Sequence, residues 1–484
     1  MMPLQGGRWT AAALVLLLNL LLHVPLLGTP PLAGTEAHRA VTAHQMVERG
    51  DPWVPILYGR VYLRKPPLHY QVLAAVEWAT GRANTWVWRL PSVVWAGLTA
   101  SLVLLAAWAW WGPTAGWAAG LLQSGAVALW AQSRSAEIDA LNTLLATAAA
   151  IAAASCVRLE PAERAGSRRA GLRPYAAFGL ALALLLTLAA KGPAGLPAAL
   201  GVTLAAAWLV PNAWRSGPLW AGWAGGVALA ALAALALKLE LSRRGLPLDL
   251  SGVREGLDNL YDTRAGRYAQ ALLLPVQLMA FALPASAVLA WGAWRWNALS
   301  LRARWLLAAV PVSWGLCVLS GMVNPRYAYV TFPLAALAAA GVLSELAAAG
   351  ARRPLRVAAA VAVVAMVLLA LPLAYFNVEN RERRSGYAAA MALQQFMQRQ
   401  GLTGETVLVA QALRFQPEIM FYAGMTAHSP GENLPAPDAL PAGSLLLVTD
   451  EELTRLRAAR NVDVLVTVES NRRKLHLLRL MDAV

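Results

Sequence analysis

Eleven apolar runs divide this chain, at roughly 10–28, 90–111, 114–132, 139–157, 174–190, 192–210, 219–239, 271–293, 304–321, 328–349 and 355–376. A helix rising 1.5 Å per residue needs about 20 apolar residues to cross a bilayer core, so each run is long enough to span or nearly so. Fully 58% of the 484 residues are hydrophobic and only 14% are charged, against about 25% charged in a soluble domain. That balance excludes a soluble enzyme and a disordered chain. Cys156 and Cys317 each stand alone inside an apolar run, which excludes a disulfide framework and a thiol-metal site. The expected architecture is a polytopic α-helical membrane protein with about 11 transmembrane helices.

Orientation follows from short loops, because Lys and Arg are retained on the cytoplasmic side. With the N-terminus inside, the inner loops carry Arg158, Arg164, Arg168, Arg169 and Arg173, then Arg215, then Arg295, Arg302 and Arg304, then Arg352, Arg353 and Arg356. The short outer loops carry chiefly Arg134, Lys191 and Arg326. The net charge of +15 is therefore largely a topology signal, and no nucleic-acid partner is expected. The first run reads as an uncleaved anchor, since Arg8 precedes it and no A-x-A site follows. An odd span count places the C-terminus outside.

Two domains are expected. Residues 1–376 form the membrane domain, with longer outer loops at 29–89, including interfacial helices, and 240–270. From 377 to 484 the chain reads as a small soluble α/β domain outside the membrane, with a helix near 386–400 and strands near 406–410, 444–449 and 462–468.

Charges close to apolar spans are costly and call for a reason, and four outer clusters stand out. The first is Thr35-Glu36-Ala37-His38-Arg39, for which an ordinary helix start with Glu36 in its first turn is the simpler account. The second is Lys65-Pro66-Pro67-Leu68-His69-Tyr70, where two prolines hold a lysine on a stiff turn. The third, Arg134-Ser135-Ala136-Glu137-Ile138-Asp139, places two carboxylates at the head of a span, a position where Asp is often an N-cap. The fourth pairs Lys191-Gly192-Pro193 with Asn324-Pro325-Arg326-Tyr327. Snorkelling explains any one basic residue. It does not explain why two of only four lysines, Lys65 and Lys191, lie beside prolines on the side that carries the acids. Carboxylates to accept a proton and cations to hold a phosphate on one membrane face are the equipment of a lipid-phosphate reaction.

These residues resemble the first outer loop and later motifs of bacterial glycosyltransferases related to protein O-mannosyltransferases and to the aminoarabinose transferase of lipid A. The likeness lies in Thr35 to Arg39, Gly50-Asp51-Pro52-Trp53-Val54-Pro55, Lys65 to Tyr70, Trp88-Arg89-Leu90-Pro91-Ser92, Arg134 to Asp139, Lys191-Gly192-Pro193, Arg267-Tyr268 and Pro325-Arg326-Tyr327, in that order over roughly residues 10–350. The resemblance implies a C-type membrane glycosyltransferase fold, a polyprenyl-phosphate sugar donor, and a lipid, protein or envelope-glycan acceptor on the outer side of the inner membrane. It implies catalytic carboxylates among Glu36, Glu137 and Asp139. Donor contacts fall to Lys65, His38, Arg39, Lys191, Arg267, Arg326 and Tyr327. Thr35 stands where the family has the first Asp of an Asp-Glu pair, which leaves Glu36, Glu137 or Asp139 as the base. Should a divalent metal take part, Glu36 and Asp139 are its candidate ligands, although two carboxylates are fewer than a dedicated cage offers. Two other classes remain open, a polyprenyl-lipid transporter or flippase and a non-catalytic membrane scaffold.

Overall fold

The computed structural model describes residues 7–159, 172–246, 265–320, 324–348, 386–409, 416–429, 439–470 and 473–481, with 360, 364 and 436 between them. The chain forms two compact units that interleave along the sequence. One comprises Met1–Pro25, Leu63–His69 and Leu90–Leu373, and the other Leu26–Tyr62, Tyr70–Arg89 and Ala374–Val484. Residues of the first outer loop fall in both units.

Among the described residues, six helices are long and apolar enough to cross a bilayer: Thr85–Trp111, Asp139–Cys156, Arg173–Gly195, Gly217–Arg243, Leu301–Leu319 and Pro325–Ala348. The expected count of about eleven is not reached among the described residues, for reasons visible run by run. The run at 114–132 breaks at Gly125-Ala126 into Pro113–Ser124 and Val127–Ser133. The run at 271–293 bends by 102° between Phe281 and Ala285 and counts as a seventh span only if the two pieces are taken together. Pro284 lies at that break, where its ring and missing N–H end a helix. The runs at 10–28 and 192–210 give the shorter apolar helices Gly7–His23 and Pro197–Leu209. Nearly all of the run at 355–376 lies outside the described residues.

Small residues set the helix packing. Gly222 and Gly226 form a G-x-x-x-G stripe on Gly217–Arg243, and a Cβ at either would come within 3.0 Å of a backbone carbonyl, of Ala177 and Ala181 respectively. Without a hydrophobic drive between helices in lipid, this close backbone approach supplies the packing contacts. The core runs through buried Ala149, Ala153, Leu184, Val202, Trp305 and Phe332. Multi-pass membrane architecture follows from these spans.

The second unit carries a five-stranded sheet of β3 (Thr406–Val409), β4 (Thr426–His428), β5 (Leu445–Thr449), β6 (Val462–Ser470) and β7 (Arg473–Leu480), in the order β4-β3-β5-β7-β6. β3 is parallel to β4 and β5, whereas β7 runs antiparallel to β5 and β6. The small α/β element expected at the C-terminus is therefore present, with β4 and β7 added to the three expected strands. Leu446, Val448, Leu453, Leu456, Leu478 and Leu480 form its core. The helix Asp450–Ala459 starts with a Thr449/Glu452 capping box.

A short hairpin from the first outer loop, β1 (Ile56–Leu57) and β2 (Arg60–Val61), belongs to this unit. Tyr58 and Gly59 turn it with φ of 54° and 80°, the signature of a tight two-residue turn. A Cβ at Gly59 would meet His428 Nδ1 at 2.5 Å, and Ser429 N donates to Tyr58 O at 2.9 Å. Glycine is thus required there both by backbone angle and by space.

Candidate functional site

Three local signals bring charged groups to the same end of the membrane unit. The helix Asp139–Cys156 starts at Asp139, with Ile138 at the N-cap, so Asp139 lies in the first turn and makes no cap. A carboxylate there complements the helix dipole. The helix Arg173–Lys191 stops at Lys191 because Gly192 turns with φ of 67° and Pro193 follows. Asn324 accepts from Arg326 N at 3.0 Å, and Pro325 takes the first helical position, which fixes Arg326 at the opening of the next helix.

The three termini converge. Lys191 Nζ donates to Asp139 Oδ1 in a short bond. Arg326 Nε donates to Asp139 Oδ2 at 2.7 Å, and Arg326 Nη2 lies 2.7 Å from Glu137 Oε2. Lys191 Nζ also stands 4.9 Å over the Tyr327 ring. Asp139 and Lys191 are buried, whereas the Arg326 side chain keeps 29% of its surface exposed. Two cations and two carboxylates thus form one balanced cluster, of which Arg326 is the more exposed cation.

The Lys65 turn is tied to the same loop. His69, wholly buried, shares a 2.9 Å hydrogen bond between Nε2 and Ala136 O, and Ser92 Oγ donates to Glu137 O at 3.4 Å. Lys65 is half-buried on that turn. Arg134 donates to His23 O and Pro25 O, each at 2.7 Å, so it finishes the first helix by binding the carbonyls at its end. The structure therefore gathers Lys65's turn, Glu137, Asp139, Lys191, Arg326 and Tyr327 in one unit. Arg267 opens the helix Ala265–Phe281, but its side chain lies outside the described residues.

Glu36, His38 and Arg39 fall in the second unit, on the helix Thr35–Glu48, and all three are buried. Glu36 receives Arg89 Nε at 2.6 Å and Arg89 Nη2 at 3.1 Å. Arg89 also donates to Leu27 O and Pro30 O at 2.8 Å and to Pro31 O at 3.1 Å, so its whole guanidinium is satisfied. Arg39 Nη1 donates to Tyr70 Oη at 2.7 Å, and His38 stacks on Tyr62 with ring centroids 5.9 Å apart. Sequence reasoning quoted Arg89 only inside a motif. A lone arginine opening a long apolar run was the signal that it must have a buried partner.

The same unit holds buried titratable groups that sequence reasoning did not single out. Burial pushes the Glu418 carboxyl up to about 8, against hydrogen bonds from its own backbone and Gly386, with the charge of Glu36 adding to the rise. At His44, burial opposes the charge, but the hydrogen bond with Glu77 and the charges of Glu77 and Glu48 outweigh it and raise its pKa. Glu77 Oε2 in turn accepts from Trp88 Nε1 at 2.7 Å.

Among the described residues, no three of His, Cys, Asp and Glu converge as metal ligands. Glu36 is engaged by Arg89, and Asp139 by Lys191 and Arg326, so neither carboxylate fits the part of a metal ligand.

The arrangement of helical spans with a small α/β element is that of the C-type membrane glycosyltransferase fold, as the likeness to solved structures shows. The chain shares it with ArnT from Cupriavidus metallidurans bound to undecaprenyl phosphate, at a TM-score of 0.72 and 15% identity over 98% of both chains. It shares it also with the apo state of that protein, at 0.70 and 16% over 97% of both. The archaeal oligosaccharyltransferase AglB from Archaeoglobus fulgidus, in complex with an inhibitory peptide and a dolichol-phosphate, aligns at 0.54 and 12%, over 88% of this chain and 65% of that one. No protein-family model and no curated protein matches the sequence.

Proposed function

We propose that this protein transfers a sugar of hexosyl or pentosyl type from a polyprenyl-phosphate donor to a lipid, protein or envelope-glycan acceptor. The observation that carries this reading is the joint grip of Lys191 and Arg326 on Asp139, with Glu137 beside them. Such a cluster presents preorganised positive charge without leaving an isolated ion in the membrane. The fold supports it, because ArnT from Cupriavidus metallidurans was solved with undecaprenyl phosphate and AglB with a dolichol-phosphate.

In the proposed reaction, an acceptor oxygen attacks the anomeric carbon as the bond from that carbon to the phosphate oxygen breaks. The configuration inverts, and the polyprenyl phosphate leaves with the bonding electrons. Charge grows on the departing phosphate, and fixed cations that meet it stabilise the transition state most. Arg326 and Lys191 take that role, with Lys65 from the Pro-Pro turn and Arg267 as further candidates. Asp139 orients the two cations, since Lys191 and Arg326 engage its two oxygens. Glu137 is the proposed base for a hydroxyl acceptor, within reach of the same site. An acceptor that is itself a phosphate is already ionised and needs no base, which accommodates Thr35. Glu36 is assigned to holding Arg89, and His38 and Arg39 to the packing around it.

Orientation in the bacterial inner membrane, with the reaction outside, draws support from the opposite helix ends. Arg8 stacks on Trp9, Arg215 on Trp214, Arg295 on Trp294 and Arg302 on Trp110, with guanidinium carbons 4.6–5.9 Å from the ring centroids. Trp and Arg of this kind belong at a membrane interface, and all four pairs lie at the ends that the charge rule places inside.

Binding of undecaprenyl phosphate to purified protein, followed by native mass spectrometry, tests the phosphate site. Wild type should hold the lipid, and Arg326→Ala and Lys65→Ala should each weaken it about tenfold or more, as expected for loss of a charge-assisted contact. Equal binding by wild type and both variants would remove the basis of the assignment.

A further inference from the structure

A polar recess lies inside the membrane unit, beside the head of the helix that begins at Asp139. Asn19, His23, Thr99, Gln123, Ser124, Gln132, Ser133 and Thr143 supply its polar lining, with Ala140 and Trp130 among the rest. Its frame is fixed by internal bonds. Asn19 Nδ2 donates to Val15 O and Ser124 Oγ, each at 2.8 Å, and Trp130 Nε1 donates to Ser124 O at 3.1 Å.

Three polar atoms around this frame have no hydrogen-bond partner among the described residues: His23 Nδ1, Gln123 Oε1 and Thr143 Oγ1. Their residues are 2%, 5% and 3% exposed. A buried polar group left unpaired is destabilising, so three around one recess call for a polar occupant. The enclosed space is about 20 Å³. A water-sized group needs roughly 10–15 Å³ on that measure, so a hydroxyl fits the enclosed part while the rest of its molecule lies in the open mouth.

The chemistry of the lining selects among occupants. It offers amides, hydroxyls, an imidazole and an indole, and no carboxylate, ammonium or guanidinium. Gln123 Oε1 can only accept, whereas Thr143 Oγ1 can do either, and a hydroxyl likewise both donates and accepts. A carboxylate has no hydrogen for Gln123 Oε1, whereas an ammonium could donate to both atoms and is disfavoured by its charge alone. Either charge would also enter a lining without a counter-ion and lose its hydration uncompensated. The nearby carboxylate of Asp139 is already matched by Lys191 and Arg326.

We propose that the recess takes a hydroxyl of the donor sugar, and that the sugar this protein handles is uncharged. The proposal rests on the glycosyl-transfer reading above and adds to it the class of sugar. The recess touches the reaction end through Ala140 and Thr143, which belong to the first turns of the helix headed by Asp139.

The test compares the affinity of the purified full chain for undecaprenyl phosphate alone and for undecaprenyl phosphate carrying a neutral pentose or hexose, an amino sugar or a uronic acid. The neutral donor should bind about tenfold tighter than the bare lipid phosphate, and the charged sugars no tighter than it. Thr143→Val and Gln123→Leu should bring the neutral donor back to the affinity of the bare lipid phosphate while leaving the bare lipid's own affinity unchanged, which also reports an intact fold. An amino sugar or uronic acid bound as tightly as the neutral sugar by wild type would overturn the proposal, with no variant needed. So would unchanged affinity for the neutral donor in both variants. Failure of wild type to bind bare undecaprenyl phosphate would count instead against the reaction itself.

Discussion

Asp139 receives Lys191 on one carboxylate oxygen and Arg326 on the other, so one side chain ties together the termini of three helices. Each partner alone would be a charge stranded at the end of a span. Held together with Glu137 they form a rigid, charge-balanced cluster.

Removing two members together should therefore cost less than the sum of removing each alone. Asp139→Asn should destabilise the membrane unit by about 3–5 kcal/mol, because the buried Lys191 loses its counter-ion. Lys191→Met should be damaging in the same way, and the double variant should be less destabilised than the sum by about 1–3 kcal/mol. Unfolding of the four proteins in one detergent measures the coupling, and simple additivity would show that the pair does not interact.

Arg89 should tolerate no substitute. Its fork serves Glu36 and three carbonyls at once, and a lysine keeps the charge but not the geometry. Arg89→Lys and Arg89→Met should both loosen the segment at 27–36, seen as faster amide exchange there. Glu36→Gln should do the same more mildly, since the amide still offers an acceptor. Protection unchanged in Arg89→Lys would show that charge alone holds the segment.

Glu418 gives the second unit a pH dependence of known sign. The folded carboxyl stays protonated up to about 8, whereas the unfolded one ionises near 4.5. Stability is then fully present below about 4.5 and falls as the pH rises towards 8, with a slope of up to about 1.4 kcal/mol per pH unit. Thermal melts from pH 5 to 8.5 should show this decline, and Glu418→Gln should flatten most of it.

His44 should account for part of what remains. Its pKa is raised in the folded state, so its ion pair with Glu77 contributes at pH values below 6.5 and is lost as the pH rises through the raised value. In a Glu418→Gln background, Glu77→Gln should remove the residual slope near neutral pH.

Much of the site was legible because charge in an apolar chain is conspicuous. Lys65, Glu137, Asp139, Lys191 and Arg326 each stand out against long hydrophobic runs, and proline and glycine mark the helix ends that carry the last two. Pairing was not legible, since nothing local indicates that Lys191 meets Asp139 or that Arg89 meets Glu36. The N-cap expected of Asp139 shows the limit, because Ile138 takes that position and tertiary partners take the carboxylate. Composition is blind to bends, so the breaks at Pro284 and at Gly125-Ala126 were not legible. β7 was missed because Arg473-Lys474-Leu475-His476 reads as polar surface, yet the strand pairs on both edges.

The central claim is that the cluster around Asp139 serves cleavage of a polyprenyl-phosphate sugar. Purified protein in liposomes with undecaprenyl phosphate carrying a radiolabelled sugar, supplied with envelope extract of the host as acceptor, tests it most directly. Wild type should release undecaprenyl phosphate and move the label to an acceptor, while Arg326→Ala should lose about a hundredfold or more of that rate, the scale seen when one transition-state charge contact is removed. An intact donor after prolonged incubation with wild type, or one carried across the bilayer uncleaved, would contradict the account.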